Sequence, residues 1–238
     1  MIRKIFRWMW KAMLWFFGLS ILSVIIFKWI PIPFTPLMIT RMVEFKLDGD
    51  DAIYSHKWVS IEKISPNLQK AVIASEDGNF LKHSGFDFKA MQKAFKNNNK
   101  GRRLKGGSTI SQQTAKNVFL WQGRSYLRKG LEAYFTVLIE LIWGKERIME
   151  VYLNSIEMGN GIYGAQEAAR HWYSKTAIDL SPREAAGIAA ILPNPRKFKA
   201  SNSSSYTNRR KDKIIRVMRY LPKIEYKKPA NYRLHPKS

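Results

Sequence analysis

Ser75 to Asp87 reads SEDGNFLKHSGFD, and two adjacent carboxylates, Glu76 and Asp77, stand in it where a helix ends. Just upstream, Ser65-Pro66 is an N-cap followed by proline at the first helical position, and Leu68, Ala71, Val72 and Ser75 recur at helical spacing. Glu76 therefore falls in the last turn or just past it. The helix dipole is negative there and disfavours a further negative charge by ~0.3–1 kcal/mol. A purely structural position would favour Lys or Arg. A proton acceptor suits the place, because a general base gains when its proton affinity is raised towards the working pH. The plain alternative is a solvated or ion-paired Glu-Asp, and the chain has cations in plenty, 41 Lys and Arg against 18 Asp and Glu.

The neighbouring segments weigh against that alternative. His83 and Gly85 lie in the same short loop, although a lone histidine is more often a packing residue than a catalyst. Gly106 to Asn117 reads GGSTISQQTAKN. Its glycines allow close backbone approach, and Ser108 and Thr109 open a helix whose free N–H groups favour an anion. Gln112 and Gln113 add amide donors, and Lys116 lies on the same helix. A GK[ST] ending is absent, so this is no Walker loop, and taken alone GGST reads as an ordinary capped helix. Further on, RKGLE places Glu132 four residues after Arg128, off the apolar stripe of its helix. A surface ion pair there is worth ~0.3–0.5 kcal/mol.

Between these segments the chain reads as a series of short helices. Asp87 caps one with Phe88, Met91 and Phe95 as its stripe, and residues 97–107 form a basic, glycine-containing loop. Ser108 caps a helix to about Leu120. Ser125 opens the longest soluble helix, with Leu127, Leu131, Tyr134, Leu138 and Leu141 as its inward stripe and Gly144 as its stop. Lys145 to about Ser155 follows with Ile148, Val151 and Tyr152 inward, then a Gly159–Gly161 turn and a helix over 162–172. Ser181 to Glu184 is a capping box opening a small-residue helix to Leu192, and a last amphipathic helix spans about Thr207–Leu221. Residues 37–64 carry no clear pattern, and no strand set or repeat is visible.

With 238 residues and 45% apolar content the chain can bury a core, and with no cysteine it has neither disulfides, thiolate metal sites nor a Cys nucleophile. The net charge of +23 points to an anionic partner: nucleic acid, lipid headgroups or a phosphorylated substrate. Ala12 to Phe27 is uncharged, and past Lys28 the apolar run continues to Phe34, about the ~20 residues a spanning helix needs. Arg3, Lys4, Arg7 and Lys11 precede it, which predicts a cytoplasmic tip and anchor over 1–34 and an exported domain over 35–238. A cleaved signal peptide is the alternative, but no small-x-small site follows the run. Pro31, Pro33 and Pro36 make a stiff exit.

In this order the segments resemble the four motifs of monofunctional peptidoglycan glycosyltransferases, whose catalytic domain also forms the first half of bifunctional penicillin-binding proteins. Glu76-Asp77-Gly78-Asn79-Phe80 with His83 and Gly85 is similar to the first motif. Gly106 to Gln113 with Lys116 and Asn117 is similar to the second, and Arg128-Lys129 with Glu132 to the third. Lys145-Glu146, Glu150, Tyr152-Leu153-Asn154 and Gly161-Ile162-Tyr163-Gly164 resemble the fourth. The match covers about residues 60–195; Gly130 inside the third motif departs mildly from it.

The resemblance implies a mainly α, lysozyme-like fold with two lobes and a groove. It implies polymerisation of lipid II into β-1,4 glycan with inversion at the MurNAc anomeric carbon and release of undecaprenyl diphosphate. Glu76 is then the base. Lys116 and Arg124 hold the donor diphosphate, with Arg128 and the Ser108 backbone assisting. Glu132 orients these groups or aids departure. Asp77, Phe80, His83, Thr109, Gln112, Gln113, Asn117 and Lys129 complete the expected substrate-binding set. The expected partners are lipid II, the growing lipid-linked glycan, the bacterial inner membrane and other cell wall synthesis proteins, with no nucleic acid. No His/Asp/Glu spacing suggests a protein-built metal site, and a Mg²⁺ carried by the diphosphate stays open. The rivals are a glycan-cleaving lysozyme-like enzyme and a membrane-tethered nucleic-acid binder suggested by NRRKDK at 208–213; that run also suits a solvated or headgroup-facing helix side.

Overall fold

The computed structural model describes residues 2–47, 49, 54–98, 107–123 and 125–226. The chain is mainly helical. It opens with α1 (Ile2–Ile26), α2 (Pro36–Leu47), a short strand β1 (Ser55–His56) and α3 (Pro66–Glu76). Then come α4 (Phe88–Asn98), α5 (Ile110–Phe119), α6 (Tyr126–Ile142) and α7 (Gly144–Ser155). Strands β2 (Glu157–Gly159) and β3 (Ile162–Tyr163) precede α8 (Gly164–Tyr173), α9 (Pro182–Ile191) and α10 (Ser205–Tyr220).

Local signals explain most helix starts. Ser65, Ser125 and Ser181 accept backbone N–H bonds as N-caps, Ser181 and Glu184 form the expected capping box, and Asp87 accepts from Ala90 N–H at 2.9 Å. Helix α9 sits between α3 and α10 because its small side chains, Ala185 to Ala190, let both approach. Helix α5 packs on α6 and α7, and one apolar core joins these groups through Leu68, Val72, Ile110, Ile139, Ile148 and Ile188. Helix α1 is long and apolar enough to cross a membrane, and only 11% of its apolar window is buried, which excludes a core helix.

The structure differs from the sequence reading in several places. Residues 37–64 contain α2, whose start repeats the cap-then-proline pattern: Met38 N–H donates to Thr35 Oγ1 at 3.3 Å, with Pro36 first in the helix. Three short strands form a sheet in the order β1-β3-β2, β3 running parallel to β1 and antiparallel to β2. Strands of two or three residues are too short to show alternation. The helix expected from Ile162 begins at Gly164, where φ is +80° and a Cβ would meet Asn154 O at 2.9 Å. Thr109, not Ser108, caps α5. Phe88 on α4 is exposed rather than inward. On α6 the buried face is Glu132, Phe135, Thr136 and Ile139, while both ends of the expected inward stripe, Leu127 and Leu141, are exposed. In the NRRKDK run Lys211 is buried and Arg210 turns inward, its Nε donating to Ala190 O at 3.1 Å. Arg124, Gly106 and most of the expected basic loop lie outside the described residues.

Candidate active site

Glu76 closes α3, and Asp77 ends the helix as its C-cap, its N–H bonded to Ile73 O. The two carboxylates then diverge. Asp77 is buried; its Oδ2 accepts from the first N–H of α5, Ile110, at 3.0 Å, and both its oxygens lie 3.0 Å from His83 Nε2. It thus ties the end of α3 to the start of α5. A second tie runs beside it, from Thr109 Oγ1 to Gly85 O at 2.6 Å. Thr109 and Gln112 also satisfy each other's backbone in a capping box. Phe80 is fully buried beneath the Lys145 ammonium, 4.5 Å from the ring centroid. Lys145 in turn pairs with Glu140 at 2.6 Å, and burial holds its pKa below the ordinary lysine value despite Glu140 and Asp77. Asp77, Phe80, His83, Thr109 and Gln112 therefore build a frame.

Glu76 faces the other way. Its Oε2 accepts from Gln113 Nε2 at 3.3 Å, and Ser75 Oγ lies 3.1 Å from its Oε1. Among the described residues it has no ion-pair partner. The Gln113 amide is oriented from behind by Tyr152 on α7, whose hydroxyl donates to Gln113 Oε1 at 3.3 Å. Burial first, then the charges of Glu76 and Asp77, push the Tyr152 hydroxyl well above its ordinary pKa, so it stays a donor. Arg210 Nη2 donates to Ser75 Oγ at 3.3 Å, one group removed from the carboxylate.

One turn along α5 from Gln113 stands Lys116. Burial lowers its pKa from the lysine value; Glu132 opposes this, while Arg128 and Lys129 add to it. Glu132 is itself buried on α6, paired with Arg128 Nη1 at 3.1 Å and with Lys129 Nζ. It is no surface ion pair. Three cations share one carboxylate, leaving an excess of two positive charges, and among the described residues Arg128 Nε is buried without a hydrogen-bond partner. Gln113, Lys116 and Asn117 line a cleft of about 180 Å³. Ser108 is exposed before the helix start.

The far wall of this cleft carries residues that sequence reading missed. Arg41 on α2 lies 3.6 Å from Glu157 on β2 and pairs with Glu44, and Arg196 Nη1 lies 3.6 Å from Glu44. Burial raises the Glu157 carboxyl above the usual range. Arg41 belongs to the stretch without a readable pattern, and the sequence shows Tyr152 as an inward residue of the fourth motif without giving it a role. Among the described residues no group of three or more His, Asp and Glu side chains could hold a metal ion.

The chain is similar to known proteins over nearly its whole length. Residues 48–219 match the transglycosylase family model. The chain is 53% identical over 223 residues to a biosynthetic peptidoglycan transglycosylase of Bacteroides thetaiotaomicron, covering 94% of this chain and 90% of the relative. It is 50% identical over 231 residues to the protein of that name from Pseudomonas syringae pv. syringae, covering 97% and 98%. A Caulobacter vibrioides relative of the same name is 55% identical over 194 residues, 82% of each chain.

Proposed function

Since this chain belongs to the transglycosylase family and is a peptidoglycan glycosyltransferase of cell wall synthesis, we propose that it polymerises lipid II with Glu76 as general base and the Lys116 cluster as the site of the departing diphosphate. One observation carries this reading. Helix α5 bears Gln113, which touches an unpaired carboxylate, and one turn later Lys116, which borders a cluster with surplus positive charge. Helix α5 thus links base and cations, and its Gln113 and Lys116 both line the cleft.

In the reaction the 4-hydroxyl of the acceptor GlcNAc attacks C1 of the donor MurNAc. The new C1–O4 bond forms on the face opposite the breaking C1–O bond, which inverts the centre. Glu76 takes the hydroxyl proton. The electron pair of the broken bond leaves on the lipid diphosphate, whose charge is met by Lys116 and Arg128, with Arg124 assisting. Glu132, doubly ion-paired, positions these cations and is not needed as an acid. A glycosidase must protonate a sugar alkoxide; a diphosphate leaves without that help. Asp77, His83, Phe80, Thr109 and Gln112 hold the frame. A Mg²⁺ would enter as counter-ion to the diphosphate. Both Glu132 oxygens are already taken by Arg128 and Lys129.

We further place α1 across the bacterial inner membrane, with the basic tip in the cytoplasm and residues 35–238 on the periplasmic side. Incubation of the detergent-solubilised protein with labelled lipid II is expected to yield a polymer that muramidase digests to disaccharide units. Absence of polymer, with muropeptides released from isolated sacculi instead, would overturn the proposal in favour of glycan cleavage.

A further inference from the structure

The last turn of α9 and the inner face of α10 meet the end of α3 beside the base. Helix α9 closes at Ile191, and its final carbonyls need donors from elsewhere. Pro193 has no N–H to give Ala189 O, and Asn194 N–H is spent on Ile191 O at 2.9 Å. The donors come from α10 and α3. Arg210 Nε donates to Ala190 O at 3.1 Å, and Ser75 Oγ stands 3.3 Å from Ala189 O. Through a second donor of its rigid fork, Nη2, Arg210 also donates to Ser75 Oγ at 3.3 Å. Ser75 Oγ in turn lies 3.1 Å from Glu76 Oε1. From the opposite side Tyr152 donates to Gln113, and Gln113 Nε2 donates to Glu76 Oε2 at 3.3 Å. Each carboxylate oxygen thus has one donor, and each donor is held from behind, by α7 through Tyr152 and by α10 through Arg210.

We propose, on the reading of Glu76 as general base, that Arg210 is a positioning residue for it: Arg210 turns the Ser75 hydroxyl proton onto Glu76 and so holds the carboxylate in the orientation that receives the acceptor's proton. A serine hydroxyl has one proton and two lone pairs. Two acceptors stand within reach of that proton, the Ala189 carbonyl and the Glu76 carboxylate. With Arg210 occupying a lone pair the hydroxyl is polarised, and its proton goes to the stronger acceptor, the anion. Ser75 then fixes Oε1 and Gln113 fixes Oε2, and each oxygen keeps a lone pair for the sugar hydroxyl. Without the guanidinium the serine is free to turn to Ala189 O, and the carboxylate is held at one oxygen alone. A base has to meet its proton within hydrogen-bond reach, and a misplacement of about 1 Å can cost ~10² in rate. The NRRKDK run gains a role in this way. Arg209, Asp212 and Lys213 are exposed and Lys211 packs at Gly187, so the run reaches the base through Arg210.

The test uses the full-length protein in detergent with labelled lipid II, well below the melting temperature of each variant. Arg210→Gln and Ser75→Ala are each expected to lower kcat by roughly 10–100-fold while KM stays within about twofold. The double variant is expected to be no slower than the slower single one, because Arg210 acts through Ser75. An arginine that only caps α9 would, when replaced, lower the melting temperature and leave the kcat of the folded enzyme in place; that result for Arg210→Gln overturns the proposal. Losses that multiply in the double variant overturn it too, since the two residues then act separately. So does a rise in KM with kcat unchanged, which would put Arg210 on the substrate. Glu76→Gln, assayed alongside, tells the two failures apart. An inactive Glu76→Gln beside a fully active Arg210→Gln leaves Glu76 as the base and removes Arg210 from its support. A normally polymerising Glu76→Gln removes the base, and the role of Arg210 falls with it.

Discussion

Replacing Glu132 by Gln removes the carboxylate that pairs with Arg128 and Lys129 while keeping its shape. Breaking a buried pair in this way costs ~3–5 kcal/mol, because the cations left behind lose their compensation. The side chains of Glu132 and Arg128 are 4% and 12% exposed, but that of Lys129 is 49% exposed and screened by water, so the lower end, about 3 kcal/mol, applies. In a protein of this size 1 kcal/mol moves the melting temperature by about 2–4 °C, so Glu132→Gln should lower it by roughly 6–12 °C. A multivalent anion can replace the missing charge. Inorganic diphosphate should therefore raise the melting temperature of Glu132→Gln more than that of the parent, at matched ionic strength. Thermal unfolding in detergent with diphosphate titrated in measures both effects. An unchanged melting temperature together with an equal diphosphate response would refute the idea that Glu132 organises an anion site.

Glu76→Gln keeps an acceptor oxygen for Gln113 Nε2, turns its amide to donate to Ser75 Oγ, and removes no ion pair among the described residues, so it should leave the melting temperature nearly in place while cutting polymer formation by ~10²–10⁴-fold in a gel assay. Near-normal polymerisation would remove Glu76 from the mechanism. Lys116 has a pKa lowered by burial, so activity should fall with rising pH before the ordinary lysine value of about 10.4, and Lys116→Arg should carry that limb upward. In the same window Lys116 binds fewer protons in the folded, ligand-free protein than in the unfolded chain, so its own contribution makes stability rise with pH; melting curves of the parent and Lys116→Arg over a pH series, compared, check the sign. Lys116→Ala should weaken use of the donor, seen in kinetics at limiting donor. Gly85 has φ +88°, and a Cβ there would stand 2.8 Å from Thr136 Cγ2. Gly85→Ala should cost about 1–3 kcal/mol of backbone strain besides the overlap, read as a fall in melting temperature of several degrees. A melting temperature equal to the parent's would show that the loop relaxes.

What the sequence determined by itself was local or cumulative. Ser65, Asp87, Ser125 and Ser181 announce helices because a cap needs only the two or three residues that follow it. The run from Ala12 to Phe27 announces an apolar helix because length and absence of charge suffice. Motif order was enough to identify the family. Tertiary structure decided the direction of each side chain. Glu76 and Asp77 are neighbours in the chain, yet one accepts from Gln113 on the cleft-lining face of α5 and the other is spent on Ile110 N–H and His83, a choice made by how α3 meets α5. The stripe on α6 shows its period but not its partner, since periodicity says that a face is apolar and not what covers it. Arg41 and Glu157 come together only because the fold brings α2 and β2 within reach, and Lys116 joins the Arg128–Lys129–Glu132 group of α6 only because α5 and α6 lie side by side. Caps and spans rest on interactions between near neighbours, whereas a site is built from groups far apart in the chain, and only packing brings those to within a few ångströms.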